Sequence, residues 1–263
     1  MSDLPQRRSL FRAALGRTDG PAIGTWIKLP AIESMEIIAR AGFDFAVIDL
    51  EHSPIDLETA YRHIGIALLS GVSPLVRVPG IDGGIIQRVL DAGAEGIVVP
   101  HVDTAAQARE ASARIRFPPR GGRGVGSTGR AGEWGAMPRE EYLRYGNDEV
   151  AFIPQIESAE AARNAAAITH VEGVDAILIG AADLSTDLGM PERDPYVVGV
   201  IAGAVRACVA AGVAVGNAGG ATADSVRASV DAGFSFTMMS NDASLLAGAA
   251  AAAVVAGRTV SRT

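Results

Sequence analysis

Two short apolar runs end abruptly in a carboxylate: Ile153-Pro154-Gln155-Ile156 before Glu157, and Ile179-Gly180-Ala181-Ala182 before Asp183. A buried strand that delivers one polar side chain to an active-site mouth has this pattern. Carboxylate oxygens are hard donors, so the pair suits Mg²⁺ or Mn²⁺ and leaves further positions for water and substrate. Both residues also stand where a helix N-cap follows a strand. Spacing alone leaves the two readings open.

Three more polar groups interrupt apolar runs. His52 closes the stretch Asp49-Leu50-Glu51-His52, and an imidazole beside a carboxylate is held in one tautomer, which suits proton transfer near neutral pH. A lone histidine is more often structural, but a place at a strand end with Asp49 three residues back favours catalysis. Arg77 follows Pro74-Leu75-Val76 and requires an anion, either a protein carboxylate or a bound carboxylate or enolate. Of the other histidines, His101 alone falls near a strand end, after Pro100. No His/Cys spacing suits zinc.

The elements that position these groups are marked by a recurring junction in which an amphipathic run meets a glycine and then an apolar run. It occurs at Ala41-Gly42, Ser70-Gly71, Ala92-Gly93, Glu172-Gly173, Ala211-Gly212 and Ala232-Gly233. Glycine accepts the left-handed conformation that ends a helix, so each junction predicts a helix giving way to a strand. The strand candidates are 23–26, 45–50, 74–78, 96–100, 152–156, 176–179, 213–216 and 234–239. They are continuous apolar runs, as in parallel strands covered on both faces. Helical patterns lie between them at 32–40, 57–69, 84–91, 104–115, 159–168, 195–211, 221–231 and 245–256. Eight alternating units in a chain of 263 residues predict an α/β fold, a single-domain (β/α)8 TIM barrel over residues 1–263, with about 20 N-terminal residues as an extension or cap. A doubly wound sheet is the alternative, because closure cannot be read from a sequence.

One connection breaks the rhythm. Residues 116–150 carry prolines, glycines and aromatics without a strand, as functional lids and subunit contacts do. Gly124-Val125-Gly126-Ser127-Thr128-Gly129 within it fits a dinucleotide fingerprint but lacks the required strand before and helix after. Arg116, Arg120, Arg123 and Arg130 form the one basic cluster, read as a solvated loop or an anion contact. A net charge of −7 argues against a nucleic-acid partner, which needs a basic stripe. Cys208, the single cysteine, reads as a buried structural thiol of a cytoplasmic protein. The N-terminus lacks the apolar core of a signal peptide. The alanine-rich tail 245–257 is short for a membrane span and reads as a helix packed in the core or on a neighbouring subunit.

Taken in order, Gly24-Thr25-Trp26, Ile48-Asp49-Leu50-Glu51-His52, Val76-Arg77-Val78, Arg116-Phe117-Pro118-Pro119 through Gly126, Gln155-Ile156-Glu157 and Gly180-Ala181-Ala182-Asp183-Leu184-Ser185 resemble the HpcH/HpaI aldolase family, metal-dependent pyruvate aldolases. The resemblance implies a divalent ion, Mg²⁺ or Mn²⁺ with Co²⁺ as a further choice, held by Glu157 and Asp183. It implies that Arg77 stabilises an enolate oxygen, that Gln155 lies close to pyruvate, and that the backbone of Gly180, Ala181 and Ala182 receives the pyruvate carboxylate. His52, held by Asp49, would move the aldol proton, and Asp91 would reach the histidine of a neighbouring subunit in a homohexamer, a trimer of dimers. The implied reaction is reversible cleavage of a 4-hydroxy-2-oxo acid to pyruvate and an aldehyde. Oxaloacetate decarboxylation, a citrate lyase β-like action on a CoA-linked acid, and a non-catalytic 2-oxo-acid-binding protein are the alternatives. A Schiff-base aldolase has one candidate, Lys28, the only lysine of the chain. This sequence departs from the family pattern at Ala181, where many relatives have proline, at Val78-Pro79-Gly80, and in the loops after the last two strands.

Overall fold

Eight parallel strands pair in sequence order and close on themselves in the structure, a computed structural model that describes residues 6–260. The strands are β1 (Ala22–Ile27), β2 (Phe45–Asp49), β3 (Ser73–Arg77), β4 (Gly96–Val99), β5 (Ala151–Ile156), β6 (Ala176–Ile179), β7 (Ala214–Gly219) and β8 (Phe236–Asn241). The helices are α1 (Leu10–Leu15), α2 (Ile32–Ala41), α3 (Leu57–Leu69), α4 (Gly83–Asp91), α5 (Ala105–Ile115), α6 (Arg139–Arg144), α7 (Ala159–Arg163), α8 (Ala165–Thr169), α9 (Ala181–Asp187), α10 (Pro195–Ala210), α11 (Ala223–Asp231) and α12 (Asp242–Arg258). This is the (β/α)8 barrel, and the pairing of β1 with β8 excludes the open sheet.

The junction glycines carry the connectivity. Gly42, Gly71, Gly93, Gly173, Gly212 and Gly233 all have positive φ, between 68° and 106°, where a side chain would be strained. At the other end of the units, Asp56, Thr104, Ser158, Asp194, Thr222 and Asn241 accept N–H bonds from the first turns of their helices. Each such cap satisfies an otherwise orphaned donor where the chain turns out of the barrel.

Two apolar layers result. Ile27, Ile48, Val76, Ile97, Phe152, Ile177 and Val215 face outward onto the helices, while Val47, Leu75, Val98, Ile153, Leu178 and Met238 fill the barrel. At its N-terminal end Phe11 of α1 plugs the opening, its ring edge-on to Phe45 and Phe236 at 5.2 and 5.7 Å. Glycine makes room for these rings: a Cβ on Gly24 would lie 2.2 Å from Phe45, and one on Gly216 2.1 Å from Phe236.

The structure differs from the sequence reading in three places. The predicted helix 159–168 is broken at Asn164, whose side-chain amide turns to the Asp103 carbonyl at 2.8 Å. A short helix, α9, follows β6 directly. The 116–150 connection is neither a solvated loop nor an anion site for its buried arginines. Arg116 and Arg123 are 1% and 4% exposed; Arg116 donates to Val150 O and Asp175, Arg123 to Asp91. Arg130 donates to Tyr61 O and Ala92 O while lying over the Tyr61 ring. Gly124–Gly129 lies in that loop with no strand before it and only a kinked 3-10 segment, Arg130–Gly135, after it. Cys208 is buried, and burial pushes its thiol up to about 11. Among the described residues no helix is long and apolar enough to cross a membrane.

Candidate active site

Side chains alternate along a strand, so every second residue points into the barrel. Along the inward rows the residue type changes from apolar to polar toward the C-terminal ends: Phe45, Val47, Asp49 on β2; Leu75, Arg77 on β3; Ala151, Ile153, Gln155 on β5. Glu157 continues the β5 row. The mouth they form is a cavity of about 320 Å³ lined by Trp26, Lys28, His52, Arg77, Gln155, Gly180 to Asp183, Glu192, Ala218, Gly219, Ser240 and Asn241.

Asp49 is the anchor of one side. Fully buried, it accepts Arg77 Nε at 2.9 Å and Nη2 at 2.7 Å, a bidentate pair of the strong kind. The backbone N–H groups of Glu51 and His52 donate to its Oδ1, both at 3.1 Å. Burial pushes this carboxyl up, but Arg77's hydrogen bonds and charge outweigh burial and hold it below the ordinary carboxylate value. Arg77 is thereby committed to protein carboxylates: its Nη1 is also 3.2 Å from Glu51 Oε2, and its guanidinium lies 4.2 Å over the Trp26 ring.

Asp49 does not grip the His52 ring as the resemblance implies. Asp49 holds His52 through the backbone, while the imidazole, 57% exposed, has Glu51 Oε2 at 3.7 Å as its nearest carboxylate. Arg77 has taken both oxygens that the ring would need.

Glu157 and Asp183 resolve the ambiguity over helix caps. Ser158, not Glu157, caps α7, and α9 has Gly180 at its N-cap position with no side-chain cap. Glu157 is 5% exposed and accepts the His101 N–H at 2.7 Å on Oε1, with His101 Nδ1 2.8 Å from the same oxygen. Burial, joined by the charges of Glu51 and Asp183, pushes the Glu157 carboxyl above its ordinary value despite the opposing His101. Gln155 Nε2 donates to Glu157 Oε2, and its own Oε1 is buried with no hydrogen-bond partner. Crowded carboxylates beside an orphaned amide oxygen are short of a cation, and these hard donors fit Mg²⁺ or Mn²⁺. Among the described residues no group of three or more His, Cys, Asp or Glu forms a fuller cage, so the donors suit an ion that shares its positions with substrate and water.

Gly180 takes a different role from the one expected. Its N–H donates to Ile156 O at 2.9 Å within the sheet, which leaves it no proton for a substrate carboxylate. The orphaned first-turn amides of α9 are those of Ala181, Ala182 and Asp183. What Gly180 supplies is space: a Cβ there would lie 2.9 Å from Glu157 Cβ and 3.0 Å from Gln155 Nε2.

Asp91 is not part of this mouth. It ends α4, which runs back to the opposite end of the barrel, and it binds Arg123 at 2.7 Å and the Tyr142 hydroxyl at 3.3 Å. His101 was placed near the mouth by its sequence position but without a role. It bridges Glu157 and Glu51, with Nε2 3.3 Å from Glu51 Oε1, from a left-handed backbone of φ 55° that non-glycine residues seldom adopt. The proline before it was the only local signal.

A closed barrel with a buried acid–base cluster and converging carboxylates at the C-terminal ends of its strands defines a (β/α)8 enzyme. A model of the HpcH/HpaI aldolase/citrate lyase family matches residues 22–249. The pyruvate aldolase of Rhizobium etli is 38% identical over 229 residues, 86% of this chain and 88% of that one. The 4-hydroxy-2-oxo-heptane-1,7-dioate aldolase of Escherichia coli is 42% identical over 180 residues, 68% of each chain. The crystal structure of an HpcH/HpaI aldolase/citrate lyase family protein from Burkholderia cenocepacia J2315 matches with a TM-score of 0.88 at 34% identity, covering 94% of this chain and 98% of that one. The chain belongs to the HpcH/HpaI aldolase/citrate lyase family and is a carbon–carbon lyase.

Proposed function

We propose that the protein reversibly cleaves a 4-hydroxy-2-oxo acid to pyruvate and an aldehyde, with Glu157 and Asp183 holding a divalent cation, Mg²⁺, Mn²⁺ or Co²⁺. The observation that carries this reading is the cation-short cluster of Glu157, Asp183 and the unpartnered Gln155 Oε1, of which Gln155 and Asp183 line one small cavity together with Arg77. The ion, when bound, supplies Lewis-acid polarisation of the 2-oxo group.

The protein groups do the rest. The free N–H groups of Ala181 and Ala182 receive the substrate carboxylate, and Gln155 lies beside it. His52, exposed enough to exchange protons with solvent, takes the proton of the 4-hydroxyl as the C3–C4 bond breaks and its electron pair becomes the enolate. Arg77, held rigid by Asp49, directs an N–H that Asp49 does not take toward the developing enolate oxygen, a donor already in place when charge appears. Protonation at C3 then yields pyruvate.

The assembly proposed is a homohexamer, a trimer of dimers, with the apolar surface of α12 as a contact; Leu246, Val254 and Val255 are exposed on that helix. Asp91 then meets His52 only from a neighbouring subunit. Cleavage of a 4-hydroxy-2-oxo acid, followed as pyruvate release with and without EDTA, tests the reading. Release that EDTA abolishes and Mg²⁺ or Mn²⁺ restores is expected; undiminished release in EDTA refutes it.

A further inference from the structure

Lys28, the only lysine of the chain, ends up in the mouth without any assigned part in the reaction. It continues the inward row of β1, two residues past Trp26, and the pairing of Ile27 with Ile48 sets it beside Asp49. Its Nζ stands 3.2 Å from Asp49 Oδ2, and its side chain is 30% exposed to the cavity that Arg77, Gln155 and Ser240 also line. Asp49 does not need it. Two N–H groups of Arg77 and two backbone N–H groups already fill the carboxylate, so the ammonium rests on one edge of a satisfied anion and keeps donors for a ligand.

Its position says which part of the substrate it meets. The pyruvate half, on the reading above, lies at β5 and β6; β1 faces them across the barrel, next to Ser240 of β8, which itself holds a left-handed φ of 61°. Whatever enters opposite pyruvate meets Lys28. The depth of the ammonium is as informative as its side. Lys28 Nζ and Arg77 Nη2 share the same Asp49 oxygen, at 3.2 and 2.7 Å, so the two cations are less than roughly 6 Å apart, within reach of one short ligand.

We propose that Lys28 determines acceptor specificity, selecting an aldehyde whose carboxylate is attached directly to the carbonyl carbon, an oxo-carboxylate, over neutral aldehydes and over those with the carboxylate at the end of a spacer. An anion on a spacer would pass Lys28 or fold back on itself, whereas a carboxylate on the carbonyl carbon reaches Lys28 while that carbon stays beside the enolate that Arg77 faces and its oxygen is left to His52. The assignment rests on the aldolase reading, and its test separates the two.

The test is pyruvate condensation with glyoxylate, succinic semialdehyde and propanal, using the wild type, Lys28→Met and Lys28→Arg. In the wild type kcat/KM should be highest with glyoxylate. In Lys28→Met it should fall by about 10- to 100-fold with glyoxylate, the worth of a charge-assisted contact, and stay within about threefold with propanal, with the KM for pyruvate unchanged; Lys28→Arg should recover part of the loss. Equal losses for glyoxylate and propanal, or none for glyoxylate, overturn the assignment. Calorimetric titration of glyoxylate and propanal into proteins saturated with oxalate, an unreactive stand-in for the pyruvate enolate, reads the same discrimination without turnover. Wild-type protein inert toward all three aldehydes would refute the aldolase reading, and the titration would still decide Lys28.

Discussion

Replacing Asp49 by asparagine should disable two parts of the site at once. The carboxylate receives two N–H bonds from Arg77, two from the backbone turn that carries His52, and the edge of Lys28. An amide of the same shape has one acceptor, so its NH₂ must face either Arg77 or the backbone donors. Breaking one partner of a buried ion pair costs about 3–5 kcal/mol, and the lower end applies because Arg77 retains Glu51. For a chain of this length about 3 kcal/mol lowers Tm by roughly 6–12 °C. The pH dependence has a definite sign. The folded pKa of Asp49 lies below its unfolded value, so its contribution to stability is fully present above that unfolded value, near 3.9, and is lost as pH falls through the folded one. The Tm gap between wild type and Asp49→Asn should therefore be constant from neutral pH downward and narrow below about pH 4. Circular dichroism melts across that range measure it, and kcat/KM for aldol cleavage at pH 7 should fall by about 100-fold or more as Arg77 loses its orientation. A Tm within about 2 °C of wild type, with kcat/KM within about threefold, would refute the anchoring role.

Gly180→Ala places a methyl against Glu157 and Gln155; its overpacking cost of about 1–3 kcal/mol should appear as weaker stabilisation by Mn²⁺ in thermal shift, and an unchanged shift would show that the pair moves freely. Phe11→Ala empties the plug at the far end of the barrel and should cost about 3–5 kcal/mol in denaturant unfolding while kcat and KM stay within about threefold. Comparable loss of activity in folded protein would mean that the plug governs the mouth.

The fold was legible because its signals are local. Six junction glycines name the helix ends, and all six adopt the left-handed conformation they imply; the apolar runs between them are the strands, displaced by at most a few residues. The polar residues that end those runs do reach one mouth. Which of them pair is a different matter. Asp49, Glu51, His52 and Arg77 offer several pairings of opposite charge, and the register of β2 against β3, with Asp49 opposite Arg77, selects one. His101 was illegible as a bridge because its role depends on a left-handed backbone at a non-glycine residue. The arginines of the 116–150 connection bind carbonyls tens of residues away in sequence, at Tyr61 and Ala92 among others, and no spacing announces such partners. Gly180 reads as part of a binding turn until its N–H is found in the sheet.

Calorimetric titration of Mn²⁺ into metal-free wild type, Glu157→Gln and Asp183→Asn tests most directly the claim that these two carboxylates hold a cation. One site per chain is expected in the wild type, weakened by about 100-fold or more in each variant, with far-UV circular dichroism unchanged. Wild-type affinity in either variant, or no binding to the wild type, would contradict it.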